Sequence, residues 1–202
     1  MIRCERDDDV WTVIIDRPEK ANSLTAQMLG ELADIAEAAQ DARVLVLTGA
    51  GKIFSAGADL EAARAGLATS PDWERLSGAL SALPCLTIAA LNGTVAGGAM
   101  GMVLACDLRV AVSEAKFFYP VMKLGFLPQP SDPARLTALI GPSRAKLLLI
   151  AGQKIDAETA HGWGLVDRLT TPETLMTEAQ TLAADTRAAT PDHAAAIKGL
   201  LR

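Results

Sequence analysis

At 202 residues the chain is long enough for one large domain, and with 50% hydrophobic and 21% charged residues it is not disordered and can build a core without staples. Its net charge of −5 argues against nucleic acid as the main partner, while a small polyanion would need only a few local cations. Three cysteines (Cys4, Cys85, Cys106) without a CxxC pair and two histidines (His161, His193) cannot assemble a Cys/His metal cluster, and they fit a reducing cytoplasm.

The N-terminal residues through Asp7 lack the apolar core of a signal peptide. Val10–Ile15, a β-branched run closed by Asp16-Arg17-Pro18, predicts a strand and then a loop. Leu24, Met28, Leu32, Ile35, Ala36 and Ala39 recur at helical spacing behind Thr25, a suitable N-cap. Residues 44–48 form an apolar strand stopped by Gly49-Ala50-Gly51, and a second helix is expected near Ala58-Asp59-Leu60. From Leu76 to Cys106 no residue is charged, a length that would suit a membrane span. Pro84, Asn92-Gly93 and Gly97-Gly98 interrupt it, so the expectation is a buried strand at Leu86–Leu91, a turn, and a helix opened by the glycine pair, with no membrane span. Leu108–Val112 and 116–119 read as strands, and 133–140, 143–151 and 157–161 as helices. Alternating strands and helices without a linker indicate an α/β fold in a single domain over residues 1–202. No repeat is clean enough to name.

Familiar motifs fail. Gly49-Ala50-Gly51-Lys52 lacks the glycine at 46 and the hydroxyl at 53 that a phosphate loop needs, and Phe54 breaks the dinucleotide pattern. No GxSxG elbow occurs. Two small-residue turns share a design: Phe54-Ser55-Ala56-Gly57-Ala58-Asp59 and Ala96-Gly97-Gly98-Ala99-Met100-Gly101 each follow a strand and precede a helix. Glycines there permit tight turns, and free N–H groups at helix starts favour negative charge. Two such turns facing one point would make an oxyanion hole.

These segments resemble the crotonase (enoyl-CoA hydratase/isomerase) superfamily. Asp16-Arg17-Pro18-Glu19-Lys20-Ala21-Asn22-Ser23-Leu24 is similar to the family's opening motif, and Leu47 through Leu60 to its first oxyanion segment. Ile88 through Gly98, with Ala105-Cys106-Asp107-Leu108-Arg109-Val110-Ala111, is similar to the second, and Trp163-Gly164-Leu165-Val166 to the late signature. The resemblance implies a crotonase-like ββα superhelix that binds acyl-CoA, with CoA arriving as part of the substrate and no separate cofactor. It further implies that the N–H groups of Ala58 and Gly98 hold the thioester oxygen. Ala56, Asp59 and Leu60 would line the adenine and pantetheine pocket, and Lys20 and Ala21 would lie beside the nucleotide. From the residues alone, Lys20 reads equally as a surface lysine and Asp59 as a helix N-cap.

The pattern then breaks. The hydratase glutamates of the family would fall at Gly101 and Val121, and the acid of its dienoyl isomerases and dehalogenases at Gln129. Asp132, in Pro130-Ser131-Asp132-Pro133, reads first as an N-cap ahead of a helical proline and second as a substitute acid/base. Tyr119, Lys123, Glu61 and Glu74 are further pocket candidates that read more simply as surface or packing residues. The chain also ends at Arg202, where the family continues into covering helices, so a shortened C-terminal helical region and a homotrimer or hexamer are expected. Ordinary hydration is disfavoured. The expectation is a lyase or isomerase working through its oxyanion hole, for example a malonyl-type decarboxylase, or else a non-catalytic acyl-CoA binder.

Overall fold

Strand-forming runs separated by small-residue turns build two sheets in the computed structural model, which describes residues 1–201. The larger sheet has the order β1-β2-β3-β5-β7-β10. Its strands are β1 (Ile2–Asp7), β2 (Val10–Ile15), β3 (Val44–Gly49), β5 (Leu86–Leu91), β7 (Leu108–Val112) and β10 (Arg168–Thr170). The smaller sheet, β4-β6-β8-β9, is made of β4 (Ile53–Ser55), β6 (Thr94–Ala96), β8 (Lys116–Phe118) and β9 (Ile155–Asp156).

The chain alternates between the sheets by a ββα repeat that the sequence did not reveal. β3 and β4 lead into α2 (Leu60–Arg64), β5 and β6 into α4 (Ala99–Ala105), and β7 and β8 into α5 (Val121–Leu124). β3, β5 and β7 pair in parallel, and so do β4, β6 and β8, so equivalent turns stack side by side at one end. The crotonase-like superhelix expected from the resemblance is this stack.

The central strands are buried on both faces, which explains their unbroken apolar runs. Every residue from Val44 to Leu47 and from Ile88 to Leu91 is buried. One face is covered by α1 (Ala26–Ala38) and α3 (Asp72–Ala82), and α8 (Leu175–Ala188) lies across β3, β5 and β7. Thr25 caps α1 as expected, its side chain accepting from the Met28 N–H. All seven residues of α4 are buried, so this helix is apolar all round because protein surrounds it. The uncharged stretch therefore forms core, and no helix among the described residues is long and apolar enough to cross a membrane.

α3 was missed by the sequence reading, although Trp73, Leu76 and Leu80 mark its buried face. β1 was missed because it is a polar edge strand, its Arg6 guanidinium lying 3.7 Å from the ring centre of Trp11. The helices expected at 133–140 and 143–151 are both present within α6 (Asp132–Leu149), which is broken between them at Gly141 (φ 78°, ψ 162°). The C-terminal part adds α7 (Ala157–Trp163) and α9 (Pro191–Gly199).

Passing between sheets within three residues leaves peptide groups outside either ladder, and two asparagines satisfy them. Asn22, fully buried, accepts from the Arg17 N–H at 2.8 Å and donates to the Ala50 and Ile53 carbonyls at 2.8 and 2.7 Å. Asn92 accepts from the Gly49 N–H and donates to the Gly51 carbonyl. Replacing Asn22 by Ala would strand buried polar groups at a left-handed position (φ 54°). The expected loss of stability is on the order of 3 kcal/mol, read by urea unfolding. A variant as stable as the parent would contradict this assignment.

Candidate active site

The first small-residue turn is shaped from below by Ser55. Its hydroxyl donates to the Asn22 carbonyl at 2.8 Å and accepts from the Gly57 N–H at 3.1 Å. Gly57 has φ 85°, and a Cβ there would lie 2.7 Å from the Ala96 carbonyl oxygen and 3.1 Å from the Gly98 nitrogen. Only glycine fits, and the absence of a side chain is what lets the two turns touch. A parallel bridge to Leu24 uses the peptides on either side of Ala58: Leu24 N–H donates to the Gly57 carbonyl and Asp59 N–H to the Leu24 carbonyl, both at 2.8 Å. The Ala58 N–H therefore points the other way, and it has no acceptor among the described residues.

The second turn starts where Gly97 N–H donates to the Phe118 carbonyl. Gly98 opens α4, and its N–H likewise has no acceptor among the described residues. A Cβ on Gly98 would meet the Trp73 ring at 3.0 Å. Trp73 is itself fixed by its indole N–H, which donates to the Leu67 carbonyl at 2.7 Å. Ala56, Ala58, Leu60, Gly98, Trp73, Phe118, Tyr119 and Val121 all line one largely apolar cleft of about 460 Å³.

Four of the expected site residues thus share a cleft: Ala56, Ala58, Leu60 and Gly98. Asp59 does not line it. Its carboxylate accepts from the N–H groups of Glu61 and Ala62, capping α2, and from Arg17 at 2.9 Å, and that guanidinium holds its pKa below the usual range. Ala21 sits just outside, its carbonyl accepting the Ala56 N–H, and Lys20 is exposed beside it. Trp73 and Phe118 are lining residues that sequence reasoning missed; the helical spacing around Trp73 was the available signal. Lys123 and Glu61 are not part of the lining. Burial pushes the Cys85 thiol up to about 11 and that of Cys106 up to about 12, so neither supplies a thiolate nucleophile at neutral pH.

Asp132 corrects the sequence reading. It is the first residue of α6 and caps nothing. The neighbouring Ser131 donates its N–H and its hydroxyl to Glu74 on α3, at 3.0 and 2.9 Å. The Asp132 carboxyl instead turns inward and is fully buried. Tyr119 donates its hydroxyl to Oδ2 at 2.8 Å, and the Tyr119 oxygen accepts from the Gln129 N–H at 3.3 Å. Oδ1 has no donor among the described residues and faces Gly101: a Cβ there would lie 2.8 Å away. Burial, helped by Glu74, pushes Asp132 up to about 6 against the opposing effects of Tyr119 and Arg135. Burial and the adjacent carboxyl raise the Tyr119 phenol as well.

A second cavity of about 700 Å³ lies under α9, bordered by Ala105, Asp107, His193 and Lys198. Lys198 is already committed there, to Asp107 at 2.6 Å and the Cys85 carbonyl at 2.7 Å. Among the described residues no group of three or more His, Cys, Asp or Glu side chains is placed to hold a metal ion.

Comparison with known proteins agrees with the stacked turns. Residues 5–202 match the family model described as "Enoyl-CoA hydratase/isomerase". The chain belongs to this family, within the crotonase superfamily. It is 36% identical over 189 residues to the Mycobacterium tuberculosis protein named "Probable enoyl-CoA hydratase echA8", covering 90% of this chain and 73% of that one. It is 35% identical over 207 residues to carnitinyl-CoA dehydratase of Citrobacter koseri, covering 98% and 78%. The crystal structure of an enoyl-CoA hydratase from Bacillus anthracis superimposes with a TM-score of 0.89 at 31% identity, covering 99% of this chain and 81% of that one.

Raising the Asp132 pKa from 3.8 to about 6 means that the folded state binds more protons than the unfolded chain between those values. Stability from this group is greatest below the window and falls as pH rises through it, by roughly 3 kcal/mol in all. Asp132→Asn is expected to lack that loss. Urea unfolding of both proteins at about pH 4 and about pH 7 checks it. A parent-to-variant difference that stays constant would overturn the buried-carboxyl account.

Proposed function

We propose that residues 1–202 act as one acyl-CoA-binding domain that stabilises a thioester enolate between the N–H groups of Ala58 and Gly98. The observation that carries this reading is that both amides lack acceptors while belonging to touching turns on one cleft. An enolate concentrates negative charge on its thioester oxygen, and two fixed donors meet it without reorganisation; each is worth about 10²–10³ in rate. The apolar lining suits an acyl chain and pantetheine, with Leu60 and Arg64 at the rim. Ala56, Asp59, Lys20 and Ala21 are proposed to flank the CoA moiety, which enters as part of the substrate.

Gly101 and Val121 offer no carboxylates for handling water, so the favoured chemistry is lyase- or isomerase-like, with loss of CO₂ from a malonyl-type thioester the simplest example. The relatives' hydratase and dehydratase names are compatible with the same enolate. The bare positions 101 and 121 also support a second reading, a non-catalytic acyl-CoA binder. Exposed Met122, Leu124, Phe126 and Leu127 beside the cleft support a homotrimer or hexamer, and three free cysteines support a cytoplasmic setting.

Turnover on a panel of acyl-CoAs tests the proposal. Gly98→Pro removes one donor and is expected to cost about 10²–10³ in the turnover found, with circular dichroism confirming the fold. Undiminished turnover would remove Gly98 from the site, and tight binding without turnover on any thioester would favour the second reading. Crotonyl-CoA hydration is expected to fall well below the typical enzyme rate of about 10 per second.

A further inference from the structure

We infer that Tyr119 and Asp132 form a two-residue proton relay that carries a proton between the substrate's α carbon and a carboxyl lodged in the space left by Gly101. The inference rests on the proposed enolate site and supplies the acid/base group that site otherwise lacks. Three observations meet here. Tyr119 lines the same cleft as Ala58 and Gly98, while Asp132 is fully buried behind it and holds its hydroxyl at 2.8 Å. The other carboxyl oxygen is buried without a donor, a costly arrangement that a purely structural residue would avoid. The carboxyl fits only because position 101 has no Cβ, since one would lie 2.8 Å from Oδ1 and 3.2 Å from Oδ2.

The step balances with these groups alone. With Asp132 ionised, Tyr119 donates to Oδ2 as in the structure. When a thioester binds, the Cα–H bond breaks toward the Tyr119 oxygen as the Tyr119 O–H bond breaks toward Oδ2. The electron pair released on carbon becomes the enolate, and the negative charge moves from Asp132 to the oxygen held by the two amides. In reverse, neutral Asp132 donates to Tyr119, whose own hydrogen is delivered to Cα. For CO₂ loss, only this protonating half is used, and a solvent proton restores Asp132 between turnovers. The Gln129 N–H donates to the Tyr119 oxygen and steadies it in either state.

The groups facing Asp132 set where it titrates. Tyr119 comes from the segment between β8 and α5, Glu74 from α3 and Arg135 from α6, while α4 presents only apolar residues. Burial outweighs them and pushes the carboxyl up to about 6. Enolisation needs the ionised form, so its rate is expected to rise with pH through that value and then level.

The test is hydrogen–deuterium exchange at Cα of butyryl-CoA in D₂O, followed by mass spectrometry from about pH 4.5 to about pH 8, with affinity measured by calorimetry. The parent is expected to exchange with an inflection near the Asp132 value. Tyr119→Phe is expected to lose about 10²–10⁴ in exchange rate with its affinity for butyryl-CoA kept. Asp132→Asn retains the phenol and is expected to exchange slowly with no inflection, a change that a merely structural role would not produce. Exchange by Tyr119→Phe at the parental rate, or an unchanged pH profile in Asp132→Asn, would overturn the relay. So would a parent that binds butyryl-CoA without exchanging it. Failure of the parent to bind any acyl-CoA would instead bring down the enolate site and the relay with it.

Discussion

The architecture depends on satisfying backbone polar groups where the chain crosses from one sheet to the other. β3 ends at Gly49 and β4 begins at Ile53, so only three residues join strands of different sheets. The Asn22 side chain serves three main-chain groups here, and Asn92, from the equivalent β5–β6 crossing beside it, reaches over to Gly49, Gly51 and Ile53 of the same crossing. Gly93 lets the two pack directly, since a Cβ there would overlap the Lys52 carbonyl at 2.0 Å. Because these contacts fix the start of β4 and β6, they also fix the turns that follow. The acceptor-free amides of Ala58 and Gly98 are thereby held in place by the fold itself, the preorganisation that the proposed enolate site requires.

The rest of the molecule clamps this frame. α8 lies over the central strands, and the Arg43 guanidinium, at the start of β3, donates to the carbonyls of Thr186, Arg187 and Ala189 at that helix's end. A cation at a helix C-terminus meets both unsatisfied carbonyls and the negative end of the dipole. Trp73 does comparable work on the other side. It fills the space beside Gly98 and forms a cleft wall, so the packing of α3 shapes the site directly.

Much of this was legible in the sequence because buried parallel strands carry their signal locally. Residues 44–47 and 88–91 are unbroken apolar runs, and Thr25 stands one residue before a 3.6-residue periodicity. Short strands such as β4 and β6 offer only three residues each, and alanine-rich α8 has little contrast between its faces. The two small-residue turns could be found from their glycines, since backbone geometry writes itself into composition. The meeting of Gly101, Tyr119 and Asp132 could not. It joins three elements distant in the chain, and Asp followed by Pro imitates a helix cap so closely that local rules chose the wrong partner for the carboxyl. Lys20 and Asp59 show a different limit, because a motif match locates residues without saying which way their side chains turn: Asp59 caps α2 and Lys20 is exposed.

The contact between Gly101 and Asp132 constrains how this sequence can change over generations. A side chain at 101 cannot be introduced while the carboxyl occupies its volume, because even the first carbon would be 2.8 Å from Oδ1. Removing the carboxyl first leaves Tyr119 facing a buried space with no acceptor. Each single replacement is therefore expected to be harmful even where the double replacement is tolerated, so the residue at one position limits what the other can become.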